Sequence, residues 1–197
     1  MTSNENPIIT IRGERVALGP VDRSMLPDFQ RWINALDVQL RLGMDFPGPF
    51  TLEDQERWYE SVTTATSSRS FAIRDGRTQA VVGSTSIQNI DWRNGTGVFG
   101  IMIGDPAARG RGLGTETAKL MLDFAFTVLG LHVISLTVAE FNVAGRRAYE
   151  RAGFREAGRL REHWPLAGRR WDQIMMDCLA REFESPLLAA ELDTATT

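Results

Sequence analysis

The spacing of hydrophobic residues changes several times along the first half of the chain, and each change marks a predicted element. Alternation over 8–18 predicts a strand or a short hairpin. Helical spacing predicts a helix over about 24–36 and a second over about 52–65. The second helix opens with a capping signal, Thr51 with Asp54 three residues later.

Turn-forming residues separate these elements from one another. Pro47-Gly48-Pro49 breaks the chain between the two helices. Asp75-Gly76 and Asn94-Gly95 are hairpin signals, so the strand-like runs on either side of them are expected to be antiparallel. These runs cover 70–74, 80–88 and 97–103.

Helices and strands alternate in the second half of the chain. The longest helical pattern covers 113–129 and stops at Gly130. The apolar, β-branched run 132–138 predicts a strand buried on both faces. Asn142 caps a short helix over 143–152, which Gly153 ends. The last two predicted strands are 154–163 and 170–179, around Pro165-Leu166-Ala167-Gly168.

This order of elements predicts a mixed α/β fold, because a run of strands is followed by β–α–β–α–β. The length of 197 residues fits one domain. We place that domain at 1–184 and expect the short acidic segment 185–197 to be a mobile tail. Leu187-Leu188 in the tail, together with the strand edges, could support a homodimer.

Charge and composition exclude several classes of function. A net charge of −3 argues against binding to nucleic acid, which depends on neutralising phosphates. No run approaches the roughly 18 apolar residues of a membrane helix, and Met1–Pro7 lacks the pattern of a signal peptide, so we expect a cytoplasmic protein. A single cysteine, Cys178, and two histidines make a metal site unexpected.

The segment from Asp105 to Glu116 carries the clearest chemical signal. Gly110, Gly112 and Gly114 let a ligand approach the backbone, and the amides of the helix that follows favour an anion such as phosphate. Arg109 and Arg111, next to these glycines, add positive charge. A simpler interpretation is a glycine-rich turn that only starts a helix. No Lys-Ser/Thr pair completes a Walker loop, and the glycine spacing does not fit a dinucleotide site.

A second segment runs from Asn142 to Phe154. Asn142 and Tyr149 are seven residues apart, about two helical turns, so they lie on the same side of the short helix. Both could face a cleft beside the strand 132–138. Alternatively, they are an N-cap and a packed aromatic ring, which is the commoner role of such residues.

Taken together, the two segments resemble the GNAT superfamily of acetyl-CoA-dependent N-acetyltransferases. The resemblance rests on Arg109-x-x-Gly112-x-Gly114, on Asn142 with Tyr149, and on Gly153-Phe154. It is closest to the group that holds the ribosomal-protein-alanine and spermidine acetyltransferases. It implies a central mixed sheet of about seven strands, splayed between the fourth and fifth, 97–103 and 132–138, and flanked by about four helices.

The resemblance also implies a role for each site residue, with acetyl-CoA as co-substrate and no metal. Tyr149 would be the general acid that protonates the leaving thiolate. The other residues would bind the cofactor. Met102, Ile103 and Gly104 would bind its pantetheine arm, and Asn142 would lie on the cofactor side of the cleft. The pyrophosphate would be bound by Arg109, Gly110, Arg111, Gly112, Leu113, Gly114 and Thr115.

The base and the acceptor are less defined. Glu140 is the first candidate for the base, with Asp91 and His163 after it. In this family the first two helices and the last hairpin usually build the acceptor pocket. Trp58, Trp164 and Trp171 could wall that pocket. Its rim would be acidic if it draws on the eight carboxylates of residues 22–60, namely Asp22, Asp28, Asp37, Asp45, Glu53, Asp54, Glu56 and Glu60.

The expected function is therefore acetyl transfer to a primary amine by direct attack on the thioester. A polyamine or other small amine, a protein N-terminus and an amine-bearing antibiotic all remain open as acceptors. A different class of function, a non-catalytic acyl-CoA-binding domain on the same fold, also remains open. Tyr149 disfavours it, because degenerate members often lose this residue.

Overall fold

The structure, a computed structural model, describes residues 7–42 and 49–195. The break at Pro47-Gly48 and the carboxylate of Asp45 therefore lie outside the described residues. Within the described ranges the elements are β1 (Ile11–Arg12), β2 (Val16–Gly19), α1 (Leu26–Ile33), α2 (Leu36–Leu42), α3 (Leu52–Thr64), β3 (Arg69–Asp75), β4 (Val81–Asp91), β5 (Thr96–Ile103), α4 (Leu113–Asp123), β6 (Val133–Ala139), α5 (Val143–Ala152), β7 (Arg155–Leu166), β8 (Arg169–Leu179) and α6 (Leu188–Ala195).

All of these strands join one sheet in the order β1-β2-β3-β4-β5-β6-β8-β7. Every neighbouring pair is antiparallel except β5 and β6, which are parallel. The predicted mixed α/β class and the antiparallel order of β3, β4 and β5 are therefore confirmed. The sheet has eight strands rather than about seven, because the segment 8–18 forms a two-stranded hairpin.

The predicted splay lies between β5 and β6. These strands pair only at Thr96↔Val133, Gly97↔Ile134 and Val98↔Ser135. β5 then continues along β4 as far as Ile103, and β6 continues along β8 as far as Ala139. The two strands separate beyond Val98, so a wedge opens in the middle of the sheet.

Helices cover both faces of the sheet, and alternate residues of β3 show the two faces. Ile73 is fully buried in a core that includes Met121 and Leu122 of α4. Its neighbour Ala72 belongs to a second core with Phe29 of α1 and Trp32. Because successive side chains of a strand point to opposite faces, α4 and α1 pack on opposite sides of the sheet.

Three elements differ from their predicted form. The helix expected over 24–36 ends at Ile33, where the side-chain amide of Asn34 donates to the carbonyls of Gln30 and Phe50. Leu36 therefore begins a new helix and is 63% exposed. The helix over 113–129 changes to a π-helical turn after Asp123. β6 is not buried on both faces, since its Thr137 is exposed.

The segment predicted as a mobile tail starts as a docked segment. Asp123 accepts hydrogen bonds from the Ser185 hydroxyl at 2.6 Å and from the amides of Leu187 and Leu188 at 3.1 and 3.0 Å. α6 follows from this anchor. Leu188 is buried and Leu187 packs against the same core. Leu188 is therefore unavailable for the homodimer contact predicted for Leu187-Leu188, because it is buried inside the domain.

Among the residues that the structure describes, no helix is long and apolar enough to cross a membrane.

Candidate active site

A cavity of about 420 Å³, here called the first cavity, lies between the end of β5, the loop before α4, and α5. α2 closes one side of it through Val38, Arg41 and Leu42. Ten of the twelve site residues named from the sequence line this cavity: Met102, Ile103, Arg109, Gly110, Gly112, Leu113, Gly114, Thr115, Asn142 and Tyr149.

The loop before α4 exposes its backbone to the first cavity. Asp105 caps a 3-10 turn by accepting from the Ala107 amide at 2.9 Å. Gly110 and Gly112 then take φ values of 72° and 83°, in the left-handed region that glycine adopts at little cost. A Cβ at Gly110 would have no atom within 4 Å. No side chain caps the start of α4, so its first amides are available to an anion.

The two arginines of this loop, whose side chains are expected to bind phosphate, have internal partners. Arg109 donates to the carbonyls of Ile103 at 3.1 Å and Gly104 at 3.0 Å, and it pairs with Asp37 of α2. The Arg109 hydrogen bond holds the pKa of Asp37 below its usual value. Arg111 pairs at 2.7 Å with the buried Asp75 and does not line the first cavity.

Gly104, expected to bind the pantetheine arm, also has internal partners. Its amide donates to the Val82 carbonyl at 2.9 Å, and its own carbonyl accepts from Arg109. A Cβ at this position would lie 2.3 Å from the ring of Trp32, so only glycine fits there. Both backbone polar groups of Gly104 thus have partners inside the protein. Met102 and Ile103 lie beyond the last β5–β6 pair and do reach the cavity.

α5 places Asn142 and Tyr149 on the opposite wall of the first cavity. Asn142 caps this helix by accepting from the Gly145 amide at 3.0 Å, and it donates to the Arg41 carbonyl at 3.4 Å. Tyr149 lies edge-on to Phe99 and Phe154, with ring centroids 6.0 and 6.1 Å away. No described residue hydrogen-bonds its hydroxyl group. Burial raises the pKa of Tyr149 to about 12.

A second cavity, of about 580 Å³, extends from the first toward α1 and α3. The two cavities share five lining residues: Arg41, Leu42, Ile101, Met102 and Tyr149. Aromatic rings from Phe29, Phe50 and Trp58 form part of its wall. The polar part of the wall consists mainly of hydroxyl and amide side chains, from Gln55, Ser70, Ser84, Thr85, Ser86, Gln88 and Thr137.

The acidic rim expected around the acceptor is largely absent from the described lining. Of the carboxylates proposed for it, Asp54 alone among the described residues lines the second cavity. Hydrogen bonding by the Thr51 amide, at 2.7 Å, holds the pKa of Asp54 below its usual value. Asp28 pairs with Arg31, and Glu56 pairs with Arg23.

None of the three candidate bases is among the described residues that line either cavity. Glu140 accepts from the Asp172 amide at 3.3 Å and pairs with Arg159 at 3.5 Å, on the side of the β7–β8 hairpin. Asp91 accepts from two backbone amides in the β4–β5 turn. His163 lies edge-on to Trp164.

The three tryptophans expected to wall the acceptor pocket lie in different places. Trp58 lines the second cavity, whereas Trp164 and Trp171 of the last hairpin are not among its described lining residues. Sequence reasoning missed the polar residues of β4. Ser84, Ser86 and Gln88 are spaced by two, and this spacing places them on one face of a strand. That polar face within a long strand could have indicated a lined cavity.

Comparisons with known proteins agree with this geometry. Residues 15–155 match the family model of the acetyltransferase (GNAT) domain. A spermidine N(1)-acetyltransferase of Vibrio cholerae is 29% identical over 139 residues, 70% of this chain and 79% of that protein. The human alpha/beta-tubulin-N-acetyltransferase 9 is 26% identical over 168 residues, 79% of each chain.

Solved structures give the same result. The spermidine N-acetyltransferase from Vibrio cholerae in complex with CoA and spermine has a TM-score of 0.76 and 26% identity, over 85% of this chain and 97% of that one. A dodecameric structure of that enzyme has a TM-score of 0.70 and 26% identity, over 84% and 94% of the two chains. The chain belongs to the GNAT acetyltransferase family and is an N-acetyltransferase with acetyl-CoA as its co-substrate.

Proposed function

We propose that the first cavity binds acetyl-CoA, that the second cavity binds a primary amine, and that the acetyl group passes between them beside Tyr149. The observation that carries this proposal is the shared wall, because Ile101, Met102 and Tyr149 line both cavities. Two substrates held on either side of one junction can react without a covalent enzyme intermediate.

The backbone would hold most of the co-substrate. The amides of the loop and of the first turn of α4 suit the pyrophosphate. Met102 and Ile103 lie on the edge of β5 that β6 leaves unpaired, where the amides of the pantetheine arm can add like a strand. When bound, acetyl-CoA supplies the thioester that the amine attacks. The open space at Gly110 and the uncapped start of α4 fit this ligand.

Tyr149 would donate its hydroxyl proton toward the leaving sulfur. A pKa of about 12 keeps the phenol protonated at any working pH. Full transfer to a thiolate whose thiol has a pKa near 8.5 is uphill, so the phenol acts first as a hydrogen-bond donor to the developing charge. The hydroxyl has no partner among the described residues and is therefore free to serve the substrate.

The acceptor must lose a proton before it attacks. The polar wall of the second cavity, in which the Gln88 amide donates to the Ser86 hydroxyl at 2.7 Å, can hold water that accepts this proton. We assign proton removal to such water, because the described carboxylate of this cavity, Asp54, is already hydrogen-bonded and has a lowered pKa.

A polyamine is the first candidate acceptor, on the strength of the spermidine acetyltransferases to which the chain is similar. A peptide N-terminus is the second. The neutral wall of the second cavity favours a peptide N-terminus over a polyamine. A polyamine carries a second ammonium group, and Asp54 is the one described carboxylate of this cavity that could pair with it. An amine-bearing antibiotic has no comparable support.

The decisive experiment measures thiol release from acetyl-CoA with spermidine, peptides with free N-termini, and aminoglycosides. Turnover with spermidine alone supports the first candidate, and turnover with peptides alone supports the second. Binding of acetyl-CoA without turnover of any amine would favour the non-catalytic acyl-CoA-binding alternative. Failure to bind acetyl-CoA would contradict the proposal.

Three wider expectations belong with this proposal. We propose one catalytic domain over 1–184 with 185–197 as its C-terminal extension. A cytoplasmic location is supported by the intracellular supply of acetyl-CoA. Self-association is supported by the dodecameric structure of the Vibrio cholerae enzyme. In this chain we expect strand edges to form the contacts between copies, rather than Leu187-Leu188.

A further inference from the structure

Both arginines of the loop have internal partners, so a ligand in the first cavity would meet other cations. Arg109 is held by Asp37 and two carbonyls, and Arg111 by Asp75. Arg147 and Arg151 of α5 also line the first cavity, and both are exposed. Neither makes an ion pair with a described residue. They are therefore cations that can meet a ligand without first breaking an internal contact.

The placement of these two arginines suits a single anionic group. They are four residues apart on α5, so their side chains leave the same face one turn apart. Small residues, Ala144, Gly145 and Ala148, line the cavity beside them. That part of the wall can contact an uncharged part of a ligand, but it supplies no positive charge. Arg147 and Arg151 are thus the charged side chains that α5 contributes to the first cavity, at some distance along the chain from the amides of the loop.

Acetyl-CoA carries two kinds of phosphate, and they need different partners. Its pyrophosphate suits the loop amides and the helix dipole. Its 3′-phosphate is a monoester, which carries a charge of about −1.5 to −2 at pH 7 and which arginine binds with paired hydrogen bonds. We propose that Arg147 and Arg151 bind the 3′-phosphate of acetyl-CoA. This inference rests on the proposed function of the first cavity.

The test compares acetyl-CoA with acetyl-dephospho-CoA, which lacks only the 3′-phosphate. Calorimetry measures both affinities for the wild-type protein, for the double variant Arg147→Ala/Arg151→Ala, and for Arg146→Ala. Arg146 is a matched control, because it lies on the same helix, pairs with Glu150 at 3.4 Å and is not among the described lining residues of the first cavity.

We expect the wild-type protein to bind acetyl-CoA about 10- to 100-fold more tightly than acetyl-dephospho-CoA. The double variant should lose this preference while its affinity for acetyl-dephospho-CoA stays unchanged. Arg146→Ala should keep the preference. Because the arginines are exposed, the preference should also shrink as salt rises.

Two outcomes would overturn the inference while leaving the proposed function intact. Equal losses for both ligands in the double variant would place these arginines on the pyrophosphate. An unchanged preference would show that they do not bind phosphate at all. Wild-type protein that binds neither ligand would instead contradict the proposed function itself, and the inference with it. Equal thermal unfolding midpoints for the three proteins would exclude misfolding as the cause.

Discussion

The first and second cavities share a wall but are built in different ways. The first draws most of its lining from two short stretches of chain, 101–115 and 142–151, and three glycines of the first stretch expose backbone to it. The polar surface of the second comes from side chains of α3, β3, β4 and β6. Backbone binding depends on glycine spacing and helix starts, which leave a pattern in the sequence. Side-chain binding from many elements leaves almost none, so the co-substrate is easier to infer than the acceptor.

Removing the hydroxyl of Tyr149 should have the largest effect, because this group serves both cavities. Tyr149→Phe is expected to lower kcat by roughly 10²–10⁴-fold while acetyl-CoA affinity stays nearly constant. Steady-state kinetics and calorimetry measure the two quantities. Tyr59→Phe is the matched control. Tyr59 lies on α3, packs against Arg23 and is not a described lining residue of either cavity. Unchanged turnover in Tyr149→Phe would remove Tyr149 as the donor.

A substitution at Gly112 should affect the first cavity alone. Gly112→Val places a β-branched residue at a φ of 83° beside the first amides of α4. We expect acetyl-CoA affinity to fall by roughly 100-fold or more, because the strain of one to a few kcal/mol displaces the loop. Gly168→Val imposes similar strain, at a φ of 76°, in the β7–β8 turn. If both variants bind acetyl-CoA equally well, the loop assignment is wrong.

A substitution at Trp58 should affect the second cavity alone. Trp58→Leu removes part of the aromatic wall that packs edge-on against Phe29 at 5.6 Å. The KM for the amine should rise about tenfold through lost apolar contact, with acetyl-CoA affinity unchanged. Trp164→Leu on the last hairpin should leave both quantities unchanged. An effect on acetyl-CoA affinity in Trp58→Leu would mean that the two cavities are not separable.

The raised pKa of Tyr149 should have the smallest effect, and that effect is on the pH profile of kcat/KM. Burial raises the pKa of its phenol to about 12, so its proton is present throughout the working range and is lost only above that value. kcat/KM should therefore rise with pH as the amine loses its proton, with no falling limb below about pH 11. A falling limb near pH 9–10 that disappears in Tyr149→Phe would contradict the raised pKa.

The loop arginines illustrate how sequence reasoning can find charged side chains and miss their partners. Arg109 and Arg111 sit among the glycines of an anion-binding loop, and their charge suggested phosphate contacts. Folding brings Asp37 and Asp75 to them from distant parts of the chain. A guanidinium beside a carboxylate in a partly desolvated position binds it in preference to water. The arginines then tie the loop to Asp37 and Asp75, and the backbone amides are left for the ligand that we propose.

The sequence by itself determined the features that depend on local physics. Turn residues and periodicity predicted β3, β4, β5 and α5, and the capping box at Thr51 predicted the start of α3. Glycine spacing marked the loop before α4, because left-handed backbone at Gly110 and Gly112 is a local requirement.

Only the tertiary structure decided which side chains meet. It separated β5 from β6 after three residue pairs, turned Glu140 toward the last hairpin, and gave the second cavity a largely neutral wall. It also divided the first predicted helix at Asn34, through a contact with Phe50 sixteen residues away. These outcomes depend on contacts between residues far apart in the chain, whose energies no local pattern contains. That is why the acetyl donor can be inferred from the sequence, whereas the shape of the acceptor site follows only from the fold.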